Sequence, residues 1–168
     1  MLRYVRDSTN DMPLVGAEIG VYKGENAKEI LDSMNIIKLY AIDPWVEYYD
    51  GNLLKKKVSK TRIEDAEGEA LRRLSPYRNV HIIKKYSYDA VNDLPLLDFL
   101  YIDGAHDFGN VWRDIWCFSE KAEIIGGHDY NRKNIGVVLA VNIYRVLNIF
   151  KSELHTEGDD WWFVPRSW

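Results

Sequence analysis

Two short motifs concentrate the reactive side chains of this chain. IDGAHD (102–107) carries Asp103, His106 and Asp107, and GGHDY (126–130) carries His128, Asp129 and Tyr130. Each follows an apolar run and so reads as the end of a strand. Carboxylates and imidazoles brought together there repel or desolvate badly unless a cation or a substrate compensates. A hard divalent ion such as Mg²⁺ takes carboxylate oxygens, keeps several waters and leaves positions for a substrate's oxygens. A hydroxyl held in such a place loses its proton more readily, and a histidine beside it can accept that proton. His128 directly follows its strand and shares a turn with Asp129, so it is the expected base. His106 lies where the chain already turns towards the next helix. Plainer roles stand beside these: Asp103 as a helix cap, His106 as a hydrogen-bonded loop histidine. His81 and His155 sit within strand-like runs and read as structural.

A second constellation lies near the N-terminus. EIGVYKG (18–24) breaks an apolar run into glycines, and YAIDPW (40–45) ends the next run on Asp43. A strand turning sharply into a helix needs positions without Cβ atoms, where backbone and ligand approach closely, and Gly20 and Gly24 are placed for that. Asp43 falls about 20 residues beyond the turn, where an acid accepts hydrogen bonds from ribose hydroxyls. The G-x-G-x-x-G pattern is absent, because Tyr22 stands where its second glycine would be. That weakens a pyrophosphate cradle and suits a ligand without phosphates. The plain alternative is a pair of turn glycines and a helix-capping Asp.

The elements that must position these residues alternate. Residues 14–22, 36–45, 79–85 and 96–106 are near-continuous apolar runs, as in strands covered on both faces, and 123–130 is a further strand and turn. Helical spacing over 24–34 puts Ala27, Ile30, Leu31 and Met34 on one face, and over 108–122 it aligns Val111, Ile115 and Phe118. A strongly apolar helix is predicted at 135–148, and KSELHTEG and DDWWFVPRSW read as two closing strands. The pattern predicts a doubly wound sheet that binds its ligands at the carboxyl ends of the strands. Residues 46–78 are densely charged with mixed sign: a solvated helix is predicted, with a lid bearing Tyr48, Tyr49 and Lys55–Lys57 as the alternative.

Composition narrows the function classes. At 168 residues the chain is read as one domain, 1–168, and 46% hydrophobic residues support a packed core. A net charge of −4 argues against a nucleic-acid binder working through bulk positive charge. Cys117 is the only cysteine, which excludes an intrachain disulfide and a cysteine-based zinc site. Neither a signal-peptide h-region nor a membrane-length apolar run is present, so a cytoplasmic protein without a membrane partner is expected.

EIGVYKGENAKEIL, YAIDPW, LDFLYIDGAHDFGNVWRDI and GGHDYNRKNIGVVLAV, in that order, resemble the small class I S-adenosylmethionine (SAM)-dependent methyltransferases. The branch they are most similar to is that of the macrocin-type and rhamnosyl O-methyltransferases. The resemblance covers residues 14–148 and extends to WWFV, which looks like that fold's final strand. It implies a Rossmann-like, mostly parallel sheet of about seven strands with helices on both faces and an antiparallel last strand. It further implies that Glu18 contacts the amino end of SAM, that Gly20, Tyr22 and Gly24 flank the methionine part, that Asp43 holds the ribose, and that Ser87 lies next to the adenine. Tyr22 departs from the family's E-x-G-x-G-x-G pattern. Asp103 is implied in cofactor contact, catalysis and metal binding together, with His128 and His106 as the other catalytic candidates. In metal-dependent relatives the ligands fall at Asp103 and Asp129, with an acid at position 128. Histidine at 128 shifts the expected ion from Mg²⁺ towards a softer one, or makes His128 the base. The expectation is O-methylation of a small hydroxylated acceptor, sugar-like or another metabolite, with a divalent cation assisting. An NAD-dependent oxidoreductase and a non-catalytic SAM-binding module are the alternatives, the latter because the chain is short for this fold. A homo-oligomer stays open.

Overall fold

The computed structural model describes residues 1–50, 56–148 and 151–165. Nine strands are described: β1 (Leu14–Ile19), β2 (Ile36–Ile42), β3 (Tyr48–Asp50), β4 (Lys56–Val58), β5 (Val80–Ile83), β6 (Leu97–Ile102), β7 (Ala122–Gly127), β8 (Ser152–Glu157) and β9 (Asp160–Pro165). The helices are α1 (Leu2–Ser8), α2 (Glu25–Ser33), α3 (Lys60–Leu74), α4 (Ser87–Ala90), α5 (Phe108–Phe118) and α6 (Ile135–Leu147). Seven strands form one sheet in the order β5-β2-β1-β6-β7-β9-β8; β3 and β4 pair as a separate antiparallel hairpin. Within the large sheet β9 alone runs antiparallel to its neighbours, β7 and β8. The chain moves outward from β1 to β5 on one side and from β6 to β8 on the other, so β1 and β6 flank the topological switch point. Ligands of open α/β sheets bind outside the carboxyl ends of the strands at that point.

The apolar runs become strands because both faces are covered. One face packs Ile115 and Phe118 of α5 and Val141 and Tyr144 of α6 against the sheet. The other packs Ala27 and Ile30 of α2 and Ile63 and Leu74 of α3. Each of the buried Ile, Leu, Val and Phe side chains contributes roughly 1.5–3 kcal/mol of transfer free energy. The charged segment is mainly a helix, as the mixed charges predict. α3 buries Ile63, Ala66, Ala70 and Leu74 along one stripe, and the Ser59 hydroxyl accepts from the Arg62 N–H to cap it. Of the residues proposed for a lid, Lys55 lies outside the described residues, and Tyr48 belongs to β3 and lines a cleft. Boundaries are tighter than the apolar runs suggest. β1 stops at Ile19 because Gly20 adopts φ +89° and Tyr22 φ +47°, and α5 ends at Phe118 rather than 122. Among the described residues no helix is long and apolar enough to cross a membrane.

The sheet ladder continues one step past each central strand. Gly20 N–H donates to the Ile42 carbonyl (2.9 Å), Asp43 N–H to Ile83 (3.2 Å), Asp103 N–H to Ile19 (2.8 Å) and His128 N–H to Ile102 (3.1 Å). Four of the residues singled out by sequence therefore sit in one row at the carboxyl edge, held by main-chain bonds.

Candidate functional site

A cleft of about 220 Å³ opens at this edge, and Gly20, Tyr22, Asp43, Ser87, Asp103 and Asp114 are among its walls. Gly20 is required twice over: its positive φ suits glycine, and a Cβ would come within 2.2 Å of the Asp103 carbonyl oxygen. The Asp43 carboxylate organises the turn beside it, with Oδ2 accepting from Tyr22 N–H (2.9 Å) and Oδ1 from Trp45 N–H (2.7 Å). Burial pushes its pKa up, against the pull of those two bonds. Each oxygen still has a lone pair for a ligand hydroxyl. The indole of Trp45 donates to the Tyr22 carbonyl (2.8 Å), and Arg62 Nε donates to the Tyr22 hydroxyl (3.0 Å). These contacts hold two non-glycine residues, Tyr22 and Trp45, at φ +47° and +42°. Tyr22 thus takes a conformation for which glycine is the usual choice, and gains a hydroxyl that ties the turn to α3.

Glu18, 1% exposed, lies on β1 under this turn. Its Oε1 accepts from Asn26 Nδ2 (3.0 Å), and its Oε2 has no partner among the described residues. Burial, with the Asp103 and Asp43 carboxylates adding to it, pushes its pKa up to about 8. A buried acid with an orphaned oxygen fits a cationic amine, whose charge would restore ionisation and supply the missing hydrogen bond. At the far end of the cleft the Ser87 hydroxyl donates to the Asp114 carboxylate, which is 5% exposed and has its pKa raised to about 6 by burial. Gly24 behaves differently from Gly20. It caps α2 at φ +73°, and its Cβ would lie 3.3 Å from Ala70 and Leu74, so it serves helix packing and is not among the cleft walls.

The second cluster lies beyond Asp103. His106 Nε2 and Asp129 Oδ2 are 2.8 Å apart, and ligand atoms of Asp103, His106 and Asp129 all fall within 4.8 Å of one another. His128, expected as the third ligand, is outside that set. Its Nδ1 lies 2.7 Å from Asp160 Oδ1, which also accepts from the Tyr101 hydroxyl (3.0 Å). His106 takes the place beside the carboxylates instead. Asp107, not Asp103, caps α5, accepting from Asn110 N–H at 3.2 Å. Asp129, at φ +65°, is held by Asn134 Nδ2 (2.8 Å).

Burial, and then the Asp129 charge, raise the Asp103 pKa, whereas the His106 contact holds Asp129 below the usual carboxylate range. For His128, burial acts downward, but the bond to Asp160 and the charges of Asp103 and Asp129 outweigh it and lift the imidazole. A second recess of about 480 Å³ is lined by Asn26, Tyr101, Asp103, His128 and Asp160. Asp103 is a wall of both spaces. His81 and His155 pack against aromatic rings, His81 edge-on to Tyr40 and His155 stacked on Tyr4 and Trp162.

Sequence reasoning missed two residues of this site. Asp114 had a signal: it is an acid three residues after Val111 on the buried stripe of α5, where an unpaired charge is costly. Asp160 had none, since its neighbour His128 is brought in by strand pairing between β7 and β9.

A doubly wound sheet of this strand order, with a glycine turn at β1 and an acid at the end of β2, is the fold of the class I SAM-dependent methyltransferases related to O-methyltransferases. Residues 17–130 match the family described as a methyltransferase domain, and the chain belongs to it. Solved structures agree in fold. The O-methyltransferase NovP superposes with a TM-score of 0.69 at 18% identity, over 99% of this chain and 79% of that one. The precorrin-6y C5,15-methyltransferase of Geobacter metallireducens gives 0.60 at 14% identity, over 96% and 84%. TrmK of M. capricolum, solved with S-adenosylhomocysteine, gives 0.58 at 12% identity, over 97% and 65%. No curated protein sequence matches the chain.

Proposed function

We propose that the chain methylates a hydroxyl oxygen of a small hydroxylated acceptor, sugar-like or another metabolite, using SAM. When bound, SAM supplies a methyl group on a positively charged sulfur, with a neutral thioether as leaving group. Glu18 would take the amino end, Asp43 the ribose hydroxyls, and Ser87 with Asp114 the adenine edge. Asp103, on the wall between cleft and recess, would align the two substrates, and alignment is the main source of rate in such a displacement. With Asp160 ionised and bonded to Nδ1, His128 keeps Nε2 for a proton from the acceptor. His128 Nε2 would take the proton from the acceptor hydroxyl as methyl transfer proceeds, the thioether being the leaving group. Asp103, His106 and Asp129 have the donor set for a divalent cation, which would acidify a bound hydroxyl; one imidazole among two carboxylates favours a softer ion than Mg²⁺.

The observation that carries this reading is the His128–Asp160 pair on the recess that shares Asp103 with the cofactor cleft. The net charge of −4 supports a small acceptor over nucleic acid. The test is calorimetry with SAM and, separately, NAD, followed by transfer of radiolabelled methyl to sugars, catechols and hydroxylated metabolites, with and without chelator. Tight NAD binding without SAM binding would overturn the cofactor. SAM binding without transfer to any acceptor would leave a non-catalytic SAM-binding module.

A further inference from the structure

The α5–α6 face carries more exposed apolar surface than an isolated helix pair needs. Phe108, Trp112 and Trp116 recur every fourth residue along α5, with successive rings stacked at centroid distances of 6.2 and 5.7 Å. Ile135, Leu139 and Ile143 recur every fourth residue along α6. Apart from half-buried Trp112, these residues are 39–58% exposed, and Val146 and Leu147 extend the α6 stripe at 69% and 63%.

The two stripes border one seam. On α5, Val111, Ile115 and Phe118 face the core, and Asp114 faces α4 through Ser87, so the aromatic stripe turns towards α6. On α6 the seam is marked by Gly136, where a Cβ would come within 2.6 Å of the Phe108 backbone nitrogen. Ile143 and Leu147 follow Gly136 at helical spacing on that side. Taken together, these exposed side chains form a patch comparable to the roughly 800 Å² per partner that a stable interface buries, above the few hundred Å² usual for monomers.

We propose that this face is the contact between two copies of this chain. Two ridges of every-fourth residues flanking a groove are what a second, antiparallel copy can interdigitate with. In a two-fold contact each patch meets itself, and neither stripe contains a charged residue, so self-association brings no like charges together. α5 and α6 begin directly after the loops bearing Asp103–Asp107 and His128–Asn134, so the contact lies next to the site.

The test is sedimentation of the full chain over a range of concentrations, with Leu139→Glu and Trp116→Glu as variants on the two helices. Both positions are exposed, and circular dichroism checks that the fold is kept. The intact chain is expected at twice 19.6 kDa. Each variant is expected to dimerise about 100-fold more weakly or worse, because a carboxylate must be buried unpaired. A monomeric intact chain, or dimers that persist in both variants, would overturn the proposal. So would a monomer that floats with phosphatidylcholine vesicles, which would assign the face to a lipid surface.

Discussion

The two halves of the carboxyl edge are built on different principles. On the β1–β2 side the ligand walls are main chain and locked side chains: Gly20 pressed on the Asp103 carbonyl, Asp43 bonded to two backbone N–H groups, and Glu18 fully buried. On the β6–β7–β9 side the polar groups pair with one another, His106 with Asp129 and His128 with Asp160, and both histidines are partly exposed. In the proposed reading, the first half is a preformed mould for one ligand. The second is a set of titratable groups whose protonation and partners can change as an acceptor or ion arrives. Cofactor binding and catalysis should accordingly be separable by mutation.

The largest expected effect is on the catalytic half alone. His128→Ala should lower methyl transfer about 10²–10⁴-fold while leaving the affinity for S-adenosylhomocysteine nearly unchanged. Asp160→Asn should lower it less, because the ring keeps its nitrogen but loses a carboxylate partner. Equal losses of cofactor affinity and rate, read by calorimetry and single-turnover assay, would erase the division between the halves.

Glu18→Gln addresses the mould. Removing the charge should weaken SAM binding by about 1–3 kcal/mol, since the amine loses a charge-assisted bond. The same change should stabilise the empty protein at high pH. Glu18 ionises near 4.5 when unfolded and near 8 when folded, so between those values the folded state holds a proton the unfolded chain has lost. Stability therefore falls as pH rises through that window, by at most roughly 1.4 kcal/mol per unit, and the glutamine variant lacks that slope. Thermal melts from pH 5 to 8 would show it; parallel slopes in both proteins would refute the assignment. Asp43→Ala should cost a comparable 1–3 kcal/mol of SAM affinity, and it also frees the Tyr22 and Trp45 N–H groups.

The smallest effect concerns the cation. Asp129→Asn should abolish binding of Mn²⁺ or Zn²⁺ at the Asp103–His106–Asp129 cluster with less than about a twofold change in S-adenosylhomocysteine affinity. Full transfer activity in excess chelator would leave the cluster as a proton network alone.

The mould was largely legible in the sequence, and the reactive half only in part. Apolar runs covered on both faces located β1, β2, β5 and β6, the further strand and turn at 123–130 located β7, and strand ends located Asp43, Asp103, His128 and Asp129. Those are local properties. Which histidine joins the carboxylates is not local. Gly127 of β7 pairs with Trp161 of β9, so the next step places His128 beside Asp160 and leaves His106 for Asp129. A one-residue change of register would reassign both. α1 escaped because Val5 is its only buried residue, and β3 and β4, three residues each, are too short for periodicity to register.

The bond from Arg62 Nε to the Tyr22 hydroxyl has a consequence for how the molecule fluctuates. It joins the first turn of α3, which is otherwise largely solvent-facing, to the residue whose main chain lies against Asp43 and Trp45. Opening that turn of α3 therefore breaks a bond to the cleft wall, and a filled cleft is expected to raise the free energy of opening. Hydrogen–deuterium exchange at the amides of Ile63, itself a wall of the cleft, and of Glu64 should slow when the cleft is occupied.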